Sequence, residues 1–163
     1  YLQVLFMSFN ILSLEKIMNK LENVILRYFF IGNIKYAPGS FASFVALIIY
    51  FFIPNTIFYQ LFFLTLHLVL GFYFCFLYSQ KNQQNEDPGF IVIDEVVGMF
   101  ISLLFIPKVL SAYLLSFILF RFFDIVKPSI IYRIQNMRYG LGIMLDDILS
   151  GIITLLIVTG LLL

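Results

Sequence analysis

The stretch Thr56 to Tyr78, TIFYQLFFLTLHLVLGFYFCFLY, contains no Asp, Glu, Lys or Arg. A run of that length is long enough to cross hydrocarbon as a helix with some tilt. Similar apolar segments lie at about Phe41 to Ile53, Phe90 to Ile106, Val109 to Val126 and Gly142 to Leu163. Open sheet leaves backbone groups unsatisfied in lipid, and these runs are too continuously apolar for the alternation of a barrel. The expected fold is therefore all-α, a multi-span membrane helical bundle with about five apolar helical segments. Composition agrees, with 62% of the 163 residues hydrophobic and 12% charged. A soluble domain is about half apolar and about a quarter charged. The turn signal IPNT joins the first two segments as a hairpin. Residues 19–31 read as an amphipathic surface helix. Met18 looks like a natural start, so residues 1–17 are expected to be an extension ahead of a single domain, residues 18–163.

The loops between segments fall alternately on two sides. One side collects Lys16, Lys20, Arg27, Lys35, Lys81, Lys127, Arg133 and Arg138, and the other has Lys108. The basic side is expected to be cytoplasmic. The net charge of +1 says nothing about nucleic acid, but no basic run with interleaved aromatics occurs, so no nucleic-acid partner is expected. The single cysteine, Cys75, rules out an intramolecular disulfide framework and reads as a small buried apolar residue. The single histidine, His67, reads as a packed, bundle-facing residue.

Charge inside such a chain is costly, so its placement is informative. The nonapeptide FRFFDIVKP puts Arg121, Asp124 and Lys127 at steps of three, on one helical face. Asp94 and Glu95 lie near the cytoplasmic end of the third segment, and Asp146 and Asp147 near the same end of the fifth. At 1.5 Å per residue, Asp94 and Asp146 each sit about 6 Å into their segments, so three remote stretches reach one depth. Neighbours on a helix diverge by about 100°, so in each acidic pair one carboxylate is expected to ligate while the other orients a neighbour or meets water. Carboxylate oxygens in this number suit a hard divalent cation such as Mg²⁺, and Arg and Lys suit phosphate oxygens. The stretch KYAPGS adds Lys35, Gly39 and Ser40, a turn and helix start on the same side that can face an anion. Gly140 and Gly142 open the fifth segment and permit close backbone approach.

Together these residues point to metal-assisted phosphoryl chemistry at the membrane face. Several phosphatase chemistries are excluded. Six residues after Cys75 stands Lys81 rather than the arginine of a cysteine phosphatase, and one histidine cannot supply a two-histidine site. No D-x-D pair and no Walker-type G-x-x-x-x-G-K-[ST] occurs. The main competing class is a small carboxylate-based transporter, which predicts charges along a path through mid-bilayer. A structural membrane subunit, its charges pairing helices, is the other.

The ordered elements YAPGSFAS, DPGFIVIDEVVGMF, FRFFDIVKP and YGLGIMLDDILSG resemble the phosphatidylglycerophosphatase A family from about Lys35 to Gly151. Ala42, Ile130 and Leu141 depart from the usual pattern, and none removes a charge. The resemblance implies an all-helical, Mg²⁺-dependent lipid phosphatase of the bacterial inner membrane. Such an enzyme converts phosphatidylglycerophosphate to phosphatidylglycerol and phosphate, so its partner is a phospholipid substrate. The expected metal ligands are Asp94, Glu95, Asp146 and Asp147. Phosphate is expected to meet Arg121 and Lys127, assisted by Lys35, Gly39 and Ser40. Asp124 is expected to orient Arg121 or to act as base or nucleophile.

Overall fold

The structure, a computed structural model, describes residues 2–82, 88–135 and 137–163, with side chains from Leu14 onward except Ser129. Seven α-helices and one short 3-10 turn, and no strands, make up these residues. They are α1 Leu2–Leu26, the 3-10 turn Ile31–Asn33, α2 Pro38–Phe52, α3 Ile57–Asn82, α4 Ile93–Leu103, α5 Leu110–Val126, α6 Ser129–Gln135 and α7 Leu141–Leu162. Part of the polar loop between α3 and α4, residues 83–87, lies outside the described residues.

Two helices, α3 and α7, are long and apolar enough to cross a membrane, while α2 is apolar but shorter. α4 has 11 residues, ten of them buried. At 1.5 Å per residue it rises only about 16 Å, too short to span hydrocarbon alone. It is the central post of the fold, packed on α2, α3, α5 and most extensively on α7.

The helix ends differ from the sequence expectation in three places, each with a local cause. The surface helix expected over 19–31 stops at Leu26, where Tyr28, Phe29 and Phe30 all adopt positive φ and turn the chain. Gly32 then docks on the backbone before α4, where an added Cβ would sit 2.0 Å from the Phe90 carbonyl oxygen. The third apolar segment does not begin its helix at Phe90. The Val92 N–H donates to the Leu26 carbonyl (2.9 Å), which holds 90–92 non-helical and starts α4 at Ile93. The stretch KPSIIYRIQNMRYG, a connecting loop by its place between the fourth and fifth apolar segments, contains α6, whose buried Ile131 anchors it to the bundle.

Small residues decide how α4 and α7 meet. A Cβ on Gly98 would lie 2.7 Å from the Asp147 carbonyl oxygen, and one on Gly151 would lie 2.5 Å from the Gly98 carbonyl oxygen. The two backbones therefore touch, as small residues allow between helices in lipid. Asp94 lies one turn before Gly98, and Asp147 one turn before Gly151. The crossing thus carries both carboxylates to the same point. Gly140, at φ 73°, and Gly142 seat the start of α7, their Cα atoms tight against the Cys75 and Gln135 carbonyls.

Polarity is inverted relative to a soluble domain. α3 exposes Phe58, Phe62, Leu66, Val69 and Phe76, and α5 exposes Leu110, Leu114, Ile118 and Phe122, while Asp94, Asp124, Asp146 and Asp147 are buried. An apolar exterior around buried carboxylates is the distribution of a membrane-associated protein. Cys75 is fully buried, and His67 packs inside with Nδ1 2.7 Å from the Phe63 carbonyl and Nε2 3.2 Å from the Tyr28 hydroxyl.

Candidate active site

Asp94 and Glu95 occupy the first turn of α4. Carboxylates are favoured there by the unpaired N–H groups and the positive end of the helix dipole. Asp94 Oδ1 accepts the Glu95 N–H at 3.0 Å, which folds the shorter carboxylate back over the helix start. Glu95, one methylene longer, reaches round to the same side. Asp94, Glu95 and Asp147 each offer a carboxylate oxygen within 4.8 Å of the others. The expectation that Asp94 and Glu95 diverge therefore fails, because their unequal lengths cancel the 100° between them.

The second acidic pair does divide. Asp147 joins the trio, whereas Asp146 pairs with Lys127 at 2.5 Å. Asp146 is thus the Lys127 anchor and is not one of the oxygens gathered around the trio, contrary to the expected four-carboxylate set. Lys127 caps α5 in the left-handed region at φ 44°, followed by Pro128, which cannot continue the helical hydrogen bonding. That turn swings the ammonium toward α7. Burial alone would lower the Lys127 pKa, but the adjacent Asp146 carboxylate, backed by Asp147 and Asp124, outweighs it and raises the pKa.

Arg121 gathers the remaining contacts. Its Nη1 lies 2.5 Å from Asp124 one turn along α5, 4.0 Å from Glu95 of α4, and 3.4 Å from the Ser43 hydroxyl of α2. The Glu95 contact links the Arg121 cluster to the carboxylate trio. Gly39 closes the fourth side, since a Cβ there would fall 1.9 Å from Glu95 Oε1 and 3.3 Å from Arg121 Nη1. Any larger residue would have to displace the Glu95 carboxylate.

The structure thus brings together Asp94, Glu95, Asp124, Asp146, Asp147, Arg121, Lys127 and Gly39. It leaves two expected residues apart. Lys35 is exposed with its ammonium 5.4 Å from the Tyr36 ring centre, and it makes no ion pair with the cluster among the described residues. Ser40 is half-buried in a hollow beside Phe41 and Phe44. Successive helical residues point about 100° apart, so Gly39 facing the site turns Ser40 away. Ser43, one turn beyond Gly39, reaches the site instead. Ser43 stands in the YAPGSFAS element but is not among the expected site residues. The available signal was a serine four residues from a site glycine on an otherwise apolar helix.

Some buried polar atoms of the site have no hydrogen-bond partner among the described residues. Asp147 Oδ1, an acceptor, and Arg121 Nε, a donor, are among them. A buried acceptor on a carboxylate calls for a cation, and a buried guanidinium donor calls for an anion. Five carboxyl groups against two cations leave an excess of negative charge that a divalent ion offsets. All-oxygen donors select a hard cation, so the residues fit Mg²⁺. The cluster is least buried at Arg121, Glu95 and Lys127. The side chains of Arg121, Glu95 and Lys127 are 14%, 15% and 19% exposed, against 1% for Asp146.

The sequence profile of a protein family described as Phosphatidylglycerophosphatase A matches residues 24–162. A Phosphatidylglycerophosphatase A of Haemophilus influenzae is 38% identical over 134 residues, 78% of this chain and 80% of that protein. One of Escherichia coli, with the same name, is 34% identical over 121 residues, covering 72% and 69%. A protein of Bacteroides thetaiotaomicron named "Putative phosphatidylinositol-3-phosphatase" is 34% identical over 137 residues, covering 78% and 84%. No solved structure matches the chain.

Proposed function

The chain belongs to the phosphatidylglycerophosphatase A family and is a phosphatase, and from that premise we propose that it hydrolyses phosphatidylglycerophosphate to phosphatidylglycerol and phosphate in a Mg²⁺-dependent step. The observation that carries the reading is one cluster in which the carboxylates of Asp94, Glu95 and Asp147 converge within 4.8 Å and the Arg121 guanidinium lies 4.0 Å from Glu95, with Asp147 Oδ1 suited to a cation and Arg121 Nε suited to an anion. A phosphomonoester held with a divalent ion satisfies both.

In this reading Asp94, Glu95 and Asp147 would hold the Mg²⁺. When bound, the ion supplies neutralisation of phosphate charge and activation of water for attack on phosphorus. Arg121 and Lys127 grip the phosphate oxygens from the less buried side. Asp124 keeps the Arg121 guanidinium turned into the site, and Asp146 does the same for the Lys127 ammonium. Lys127, its pKa raised, remains charged and presents a fixed positive end to the phosphate.

The site lies at the end of the bundle where α2 begins and α5 ends, and Lys108 bonds the Phe51 carbonyl (2.6 Å) at the far end of α2. That arrangement supports a multi-pass protein of the bacterial inner membrane, with its active site facing the cytoplasm under the charge rule for loops. Acyl chains would stay in lipid while the terminal phosphate meets the cluster. Charges gathered at one end do not form a path across the bilayer, which favours an enzyme over a carboxylate transporter.

The test is phosphate release by purified protein in mixed micelles with Mg²⁺. Phosphatidylglycerophosphate, phosphatidic acid and phosphatidylinositol 3-phosphate would be offered separately. The expected result is the highest kcat/KM on phosphatidylglycerophosphate, and preference for either other lipid would overturn the substrate assignment.

A further inference from the structure

Ser43 is 0% exposed in the middle of an apolar helix, where an unbonded hydroxyl is costly. Its proton is committed, since Oγ donates to the Gly39 carbonyl one turn back at 2.8 Å. The oxygen is left able only to accept, and it accepts from Arg121 Nη1 at 3.4 Å. Gly39, which takes that proton, is the residue whose Cα abuts Glu95 and Arg121. Asp124 and Glu95, which also contact the guanidinium, are carboxylates. They hold it by charge and compete with an incoming phosphate. Ser43 is the neutral anchor. It can keep Nη1 in place while the ionic contacts are exchanged for phosphate oxygens.

We infer that Ser43 is a positioning residue, fixing the Arg121 guanidinium from α2 so that it meets the substrate phosphate. The inference rests on the phosphatase reading above. A hydrogen bond to a charged group contributes enough that its loss weakens binding about tenfold.

The experiment compares the parent chain with Ser43→Ala, Ser43→Cys and Ser43→Thr. It measures KM and kcat on phosphatidylglycerophosphate, the inhibition constant of inorganic phosphate, and the thermal midpoint in detergent. Alanine and cysteine variants, which lack a good acceptor, are expected to raise both KM and the phosphate inhibition constant about tenfold. In both, kcat and the midpoint stay near parent values, and threonine retains parent-like phosphate affinity. Unchanged KM and inhibition constant in the alanine and cysteine variants would overturn the inference. So would a lowered midpoint and kcat with unchanged phosphate affinity, which is the signature of a purely structural serine. No release from phosphatidylglycerophosphate by the parent would remove the phosphatase reading and this inference with it.

Discussion

At the scale of single residues, the account divides the charged groups by job, and each job has its own signature. Asp94→Asn and Asp147→Asn keep shape but lose a ligating charge. Each is expected to cut phosphate release roughly a hundredfold or more while the protein remains folded in detergent. Near-parent turnover in both would refute the ligand assignment. Lys127→Met behaves differently, because Asp146 is left 1% exposed with no counter-charge. Removing one partner of a buried pair costs about 3–5 kcal/mol, so a clear drop in thermal midpoint is expected along with lost activity. Gly39→Ala is a steric test. Its methyl would meet Glu95 Oε1 at 1.9 Å, and a displacement on the order of 1 Å at a reacting centre costs about a hundredfold. Activity is expected to fall by that order with little change in midpoint.

The helices show why the residue jobs come out as they do. The charged residues themselves were legible in the sequence, since carboxylates in apolar runs are rare enough to mark function. Which carboxylate joins which neighbour was not legible. It depends on the backbone contact between Gly98 and Gly151, which sets Asp94 against Asp147, and on the left-handed turn at Lys127, which assigns Asp146 to the ammonium. Sequence reading gives the 100° step between neighbours but not the side-chain lengths that let Glu95 converge with Asp94. The start of α4 was likewise hidden, because Phe90 to Val92 are as apolar as the helix, while the Ile91 and Val92 N–H groups are taken by the Pro88 and Leu26 carbonyls. The glycine crossing predicts a contrast within α7. Gly151→Val would drive a side chain into the Gly98 carbonyl, whereas a Cβ at Gly160 meets nothing within 4 Å. The first substitution is expected to lower the thermal midpoint markedly and abolish phosphate release, and the second to leave both unchanged.

For the whole molecule, an all-helical fold followed directly from long uncharged runs, because lipid leaves the backbone few alternatives. The number of full crossings did not follow. Length and hydropathy single out α3 and α7, while α4 is buried by other helices and too short to span by itself. Burial by protein and burial by lipid leave the same apolar signature in a sequence. Sidedness can be measured in a Cys75→Ser background. Single cysteines replacing Lys108 and Arg138 are expected to react with a membrane-impermeant thiol reagent from opposite sides, Lys108→Cys in intact cells and Arg138→Cys only in inverted vesicles. Labelling of both from one side would contradict the proposed topology. The central claim, that a divalent ion on Asp94, Glu95 and Asp147 is needed to release phosphate, is tested most directly by one titration. Purified protein is stripped with EDTA and phosphate release from phosphatidylglycerophosphate is followed as Mg²⁺ is restored. No release in EDTA and saturable recovery with Mg²⁺ are expected, and full release in EDTA would show that no divalent ion is needed.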